Sequence, residues 1–308
     1  MSTGSRIRGI AQVVFAASIW GAAYPLTKDV LAQVPPITFG FARFTIAGLI
    51  LMAWSRTSPL QGIAPADRRQ MWLMAFWGTF VLVIFMNLGL GWAPGIVSSV
   101  ISGITPLFTV LLAALWRIEP LRSRHLLAAA LALAGLVMLC GDMHGASTTG
   151  LKALIGTMLV TVPQIAWSVY SIIGKDIMSR YPWQVACRDT FALGALMLAP
   201  AAIVETAVSG FGIWDLKVCL TLMFLGFLNS VVTYGLWNSA LSLIPVSTAS
   251  FVLYLQPISG VVLSMLMFGE RTGAAGLAGT GLILAALLLA LREDAPSSAE
   301  SQNKSTDF

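Results

Sequence analysis

Long apolar runs divided by short polar connections set the pattern of this 308-residue chain. Ten runs approach the length that crosses ~30 Å of hydrocarbon as a helix. Their cores lie at 10–32, 36–55, 70–92, 95–116, 124–141, 150–174, 182–205, 215–239, 245–267 and 272–291. Some connections are as short as Ala93-Pro94 or Ile244-Pro245. The tail 293–308 is polar and Ser-rich, and is predicted to be a disordered cytoplasmic extension. The pattern predicts an all-α integral membrane protein of ten transmembrane helices.

The pattern also occurs twice. Trp20, Lys28 and Asp29 match Trp167, Lys175 and Asp176, 147 residues further on. The chain has five lysines, and Lys-Asp occurs at these two places only. Arg43, Thr45 and Ala47 match Arg188, Thr190 and Ala192 at an offset of 145. Asn87, Pro94, Pro106 and Glu119 match Asn238, Pro245, Pro257 and Glu270 at an offset of 151. Ordered matches of rare residue types predict two five-helix repeats, 1–145 and 146–292. An odd number of helices turns the second copy over, so the repeat is inverted. That build is common among secondary transporters, where exchanging the conformations of the halves exchanges inward-open and outward-open states. The first run, with its charged start and Ala16, Ala17, Ala22 and Ala23, has the look of a signal peptide. Signal peptides do not recur inside a chain, so it reads as a retained helix.

Charge and composition agree with this picture. The chain is 57% hydrophobic and 10% charged, with a mean hydropathy of +0.84. Soluble domains carry about 25% charged residues, so lipid must be the solvent for most of this surface. With the N-terminus in the cytoplasm, twelve Lys and Arg fall at inside ends and four at outside ends, namely Lys28, Lys152, Lys217 and Arg271. The excess predicts both termini inside, in a bacterial inner (plasma) membrane. The net charge of +5 is scattered over the connections and does not suggest nucleic acid. Cys140, Cys187 and Cys219 lack metal-ligand spacing and read as packing residues. No cofactor and no metal are expected. A monomer in the bilayer binding a small molecule is expected, with a dimer as the alternative.

The layout and motifs resemble the drug/metabolite transporter superfamily, and within it the ten-helix EamA-type members. The segments PLFTVLLAALWRIEP (106–120) and QPISGVVLSMLMFGERT (256–272) are similar to that family's fourth and ninth helices. Trp20 to Lys28 is similar to its first helix, and Arg43 to an Arg that members often carry in helix two. The resemblance covers about residues 8–292 and implies transport of small solutes: amino acids, drugs or dyes, or other metabolites. The second half departs in lacking a proline after Tyr170, and in placing Asp189 directly after Arg188.

Polar and aromatic faces nominate a binding cavity. Trp20 and Tyr24 are spaced i, i+4; Thr161, Gln164 and Trp167 i, i+3, i+6; Asn229, Thr233 and Trp237 i, i+4, i+8. Each set lies on one helical face. Tyr254 and Gln256 flank Pro257, and Asn87 and Arg43 join the set. Arg43 is expected to hold a substrate carboxylate. Arg188 beside Asp189 is expected to be a structural pair or a gate. The stripe Ser98, Ser102, Thr105 and Thr109 reads as close helix packing. Pro106 and Pro257 are expected mid-helix, as matched kinks or gate hinges. Asp189 is the leading candidate for proton coupling, followed by Glu119 and Glu270, for which boundary ion pairs compete. Uncoupled movement is the alternative. Aromatic rings and amides suit a small amphipathic or zwitterionic solute such as an amino acid. A phosphorylated solute would want several Lys or Arg. An embedded enzyme would need a clustered catalytic set, whereas His125 and His144 stand apart. A channel would need a polar ring or filter, and none is visible.

Overall fold

The structure, a computed structural model, describes residues 3–93, 98, 101–142, 151–268 and 273–291. The described residues form helices and no strands. In chain order they are α1 (Thr3–Val30), α2 (Pro36–Ser55), α3 (Pro65–Trp92), α4 (Ser102–Leu115), α5 (Ser123–Asp142), α6 (Leu151–Ile177), α7 (Trp183–Ser209), α8 (Leu216–Leu241), α9 (Val246–Val252 and Leu255–Phe268) and α10 (Ala274–Leu291). Lipid offers no partners to backbone N–H and C=O groups, so an apolar chain meets them within helices. Eight of these helices are long and apolar enough to span a membrane. The described parts of α4 and α5 are shorter apolar helices. Glu270, Pro94, His144 and the tail 293–308 lie outside the described residues.

Large apolar side chains cover the outer faces of the bundle, among them Leu196, Val208, Leu266 and Leu288. In water such a surface would drive association; in a bilayer it is the solvent-matched face. Inside, α2 packs on α7 and α5 on α10. The remaining close pairs are α3 with α6, α1 with α8, α1 with α9, and α4 with α6. The described ends of the chain meet, because the Arg6 guanidinium donates to the Leu291 carbonyl at 2.8 Å.

The matched lysines have matched tasks. Lys28 Nζ donates to the carbonyls of Leu90 and Ala93, at 2.7 and 2.5 Å, at the C-terminus of α3. Lys175 Nζ donates to Leu241 and Ile244, at 2.5 and 2.6 Å, at the C-terminus of α8. An ammonium there satisfies carbonyls that have no partner within the helix and meets the negative end of its dipole. Asp29 pairs with Lys217 at 2.5 Å. Asp176 pairs with Arg180 and accepts from Gln70, and Arg180 also binds Asp67.

Both prolines stand just after a break in their helix, rather than within a continuous bent one. Pro106 follows a tight 3₁₀ turn, Ser102–Ile104, and stands in the first turn of the α-helix Thr105–Leu115. Pro257 follows a break at Leu253 and Tyr254 and stands in the first turn of Leu255–Phe268. A first-turn proline removes no intrahelical bond, since that N–H lacks a partner anyway. The carbonyls four residues earlier are met instead by Thr105 Oγ1, which donates to Ser102 O at 2.7 Å, and by Gln256 N, which donates to Leu253 O at 2.9 Å.

Candidate functional site

A cavity opens where α1, α2, α3, α6, α8 and the break in α9 converge. A water centre can lie anywhere in about 100 Å³ of it, against the roughly 10–15 Å³ that one water requires. It sits in the half of the bundle that holds the C-terminal ends of α1 and α3. Close helix contacts shape its wall. A Cβ on Gly21 would stand 1.9 Å from Ser259 Oγ and 2.3 Å from Gln256 O, so α1 touches the start of α9's second segment. A Cβ on Gly40 would stand 2.2 Å from Val83 Cγ1, bringing α2 against α3. These contacts aim Trp20, Tyr24 and Gln256 into one space.

Arg43, on α2, is the one charged residue lining the cavity among the described residues. Its Nε donates to Ser230 Oγ at 2.9 Å and its Nη2 to Asn229 Oδ1 at 2.6 Å. Both partners are neutral. A guanidinium has five N–H donors, and the others find no acceptor among the described residues. Its Cζ lies 4.9 Å from the Phe44 ring centroid. Much of the wall is aromatic. Trp20 and Trp167 meet edge-on at 4.9 Å, and Trp167 meets Tyr234 at 5.0 Å. Trp20 Nε1 donates to Asn229 O at 3.1 Å, whereas Trp167 Nε1 is buried without an acceptor among the described residues. Gln164 Nε2 donates to Val160 O at 3.0 Å, and its Oε1 lies 2.7 Å from Thr105 Oγ1. Asn87 donates to Pro36 O at 2.8 Å. The Gln256 side chain makes no hydrogen bond among the described residues.

Of the residues nominated from sequence, Trp20, Tyr24, Arg43, Asn87, Gln164, Trp167, Asn229 and Gln256 line this cavity. Trp237 is fully buried behind it, 5.7 Å from Trp20 and 5.3 Å from Trp167. Thr233 donates to Asn229 O at 2.6 Å, and Tyr254 is buried against Phe251. For Thr233 and Trp237 the reason is the winding of α8. Residues Phe224–Val232 form a π-helical segment, with a counterpart at Phe76–Val81 in α3. Winding by i→i+5 brings Tyr234, five residues after Asn229, to the face that regular α spacing assigned to Thr233. Tyr234 was therefore missed; Phe39 and Phe44 on α2 and Met86 on α3 also line the cavity and were missed. Tyr234 alone carried a signal, as the residue one π turn from a buried amide.

The described candidate proton carriers, Asp189 and Glu119, lie elsewhere. Arg188 and Asp189 are fully buried, and Arg188 Nε donates to Asp189 Oδ1 at 2.8 Å. Asp189 Oδ1 also accepts from Leu60 N at 3.1 Å, while Arg188 binds Thr57 and the carbonyl of Gln61. The pair thus holds the α2–α3 connection. Glu119 accepts from Val246 N at 2.7 Å and Ser247 N at 3.2 Å, capping the N-terminus of α9. Glu205 does the same at α2, accepting from Ile37 and Thr38. The Ser/Thr stripe packs on α6, where Thr109 and Ser168 share a hydrogen bond of 2.9 Å.

Comparison with known proteins places this chain in a family. The model of the EamA-like transporter family matches the chain twice, over residues 7–141 and 154–292. This chain belongs to the EamA-like transporter family. It is a multi-pass membrane transporter of the drug/metabolite transporter superfamily. It is 25% identical to a "Probable amino-acid metabolite efflux pump" of Salmonella typhimurium, over 88% of this chain and 90% of that one. A "Probable terminal-alkyne amino-acid exporter" of Streptantibioticus cattleyicolor is 23% identical, over 92% and 93%. An "Uncharacterized transporter" of Archaeoglobus fulgidus is 26% identical, over 82% and 86%. A solved crystal structure superposes with a TM-score of 0.75 at 21% identity, covering 94% of this chain and 97% of that chain. That likeness concerns the fold alone.

Proposed function

We propose that this EamA-family transporter is a secondary, alternating-access exporter of small carboxylate-bearing metabolites such as amino acids. The observation that carries the substrate class is Arg43, a guanidinium held by neutral partners and facing an aromatic-walled cavity. Two N–H groups in a planar fork match a carboxylate, and the rings match an apolar side chain. The names of the amino-acid exporters among its relatives support the same class. A drug or dye permease of the same fold is the second reading, favoured by the extent of the aromatic wall.

The alternating-access mechanism rests on an inverted repeat of two five-helix halves. Three observations support the repeat. The family model matches twice, 147 residues apart. Lys28 and Lys175 cap the C-termini of α3 and α8, which are corresponding helices. The packing pairs are self-consistent under the exchange of halves: α2–α7 and α5–α10 map onto themselves, α3–α6 onto α8–α1, and α4–α6 onto α9–α1. With the N-terminus cytoplasmic, the cavity lies toward the outer face. On the inner side Arg180–Asp67 and Arg188–Asp189 tie α6 and α7 to α3 and the α2–α3 connection, which supports an outward-facing reading.

The test is flux of a labelled amino-acid panel into proteoliposomes, with and without a pH gradient. Saturable flux that falls at least tenfold in kcat/KM in Arg43→Gln supports the reading. Saturable flux of carboxylates unaffected by that substitution removes Arg43 from the site. Flux of cationic dyes and of no carboxylate selects the second reading.

A further inference from the structure

We infer that Asn87 and Gln256 form an amine subsite in the cavity that Arg43 lines, so that the transporter selects α-amino acids over carboxylates of the same shape that lack the amine. This deepens the transport reading above and rests on it. The hydrogen bonds of the cavity amides are the ground. Asn87, Gln164, Asn229 and Gln256 all line the cavity. Two of them are held within the bundle. Asn229 Oδ1 accepts from Arg43, and its Nδ2 donates to Ile19 O at 3.4 Å. Gln164 Nε2 donates to Val160 O, and its Oε1 lies against Thr105 Oγ1.

The other two keep a free acceptor. Asn87 Nδ2 donates to Pro36 O at 2.8 Å. A carbonyl only accepts, so this bond fixes which way the amide points and leaves Oδ1 as its unengaged end. The Gln256 amide makes no hydrogen bond among the described residues and is free to turn its oxygen inward. Asn87 is 6% exposed and Gln256 7%. Buried polar atoms require partners, and the cavity is where these two can meet one.

Their chemistry is the complement of Arg43. A guanidinium only donates and matches a carboxylate; amide oxygens accept and match an ammonium, which has three N–H groups and no acceptor. Asn87 also stands on the right side of α2. A Cβ on Gly40 would lie 3.0 Å from Asn87 Nδ2, and Gly40 is one helical turn before Arg43. Among the described residues no Asp or Glu lines the cavity, so the ammonium is met by neutral dipoles. Magnitudes explain why two amides are needed. A carboxylate on Arg43 puts its α-ammonium about 5.5 Å from the guanidinium, and at an effective dielectric near 20 that repulsion weakens binding on the order of 100-fold. Each hydrogen bond from a charged group strengthens binding by roughly 10–100-fold. One amide therefore offsets the repulsion at best, and the two together exceed it by about tenfold.

The test uses the purified full chain in proteoliposomes at neutral pH, with protein-free vesicles giving the passive leak. Labelled phenylalanine is paired with 3-phenylpropionate, and leucine with 4-methylpentanoate. The members of each pair share a shape and differ by the amine. The amino acid of each pair should show a kcat/KM about tenfold higher. Gln256→Met keeps the volume and removes an amide that makes no bond in the bundle. It should lower kcat/KM for the amino acids about tenfold or more and leave the amine-free acids within about twofold. Asn87→Leu should do the same, and its retained flux of the amine-free acids would show that it folds. Gln256→Glu, which keeps an acceptor at that place, should retain amino-acid flux. Equal transport within each pair, or equal loss of both members in Gln256→Met, would overturn the inference while the transport reading stands. Flux of none of the four would overturn both.

Discussion

Asp189→Asn separates a proton carrier from a structural counter-ion. Arg188 is fully buried, and its counter-charge among the described residues is Asp189. The asparagine oxygen can still accept a bond from Arg188 Nε or Leu60 N, so shape and part of the hydrogen bonding survive. What is lost is the negative charge beside a guanidinium that water does not reach. Breaking a buried pair by removing one partner costs about 3–5 kcal/mol, and the retained bond places this case near 3. At roughly 2–4 °C per kcal/mol, the melting temperature should fall by about 10 °C. The double variant Arg188→Leu/Asp189→Leu removes both charges. Its former partners, Thr57, Leu60 and Gln61, lie in a connection open to solvent and can turn to water. It should therefore recover at least half of the loss, because replacing a buried pair with apolar side chains is close to neutral. Melting is followed by size-exclusion chromatography in detergent after heating, and flux by the proteoliposome assay. Unchanged melting of Asp189→Asn, together with loss of flux driven by a pH gradient, would refute the reasoning and make Asp189 the proton site.

Three further perturbations address the frame of the cavity. Lys175→Met should leave the carbonyls of Leu241 and Ile244 unmet at the end of α8 and cost about 1–3 kcal/mol. Lys28→Met should cost a similar amount at α3, and a melting curve unmoved in both would show the caps to be idle. Gly21→Ala should force α1 from α9, because its Cβ would meet Gln256 O as well as Ser259 Oγ. The expected loss is about 1–3 kcal/mol, and Ser259→Gly should not rescue it, since the backbone contact remains; a full rescue would place the clash in the side chain alone.

Hydrophobic run length was enough to locate the helices, because an apolar segment in lipid has no other way to pair its backbone. All ten expected runs coincide with described helices or parts of them. The recurrence of Trp, Lys-Asp, Arg, Asn and Pro was equally legible, since rare residue types carry information that apolar ones do not. Burial of Gln164 and Asn229 was also foreseeable, because an amide facing lipid is costly.

Rotation about each helix axis was not legible. It is decided by packing partners and by departures from α winding that leave no mark in composition. Regular spacing put Thr233 and Trp237 on the cavity face, and the π segment Phe224–Val232 put Tyr234 there instead. The two matched arginines show the same division. Arg43 and Arg188 hold equivalent places in the sequence, yet Arg43 faces neutral partners and open space while Arg188 is closed off by Asp189 and the α2–α3 connection. The chain determined by itself that it spans a membrane. Only tertiary structure decided which arginine keeps unpaired donors, because a charge in a bundle is defined by the groups that distant helices bring against it.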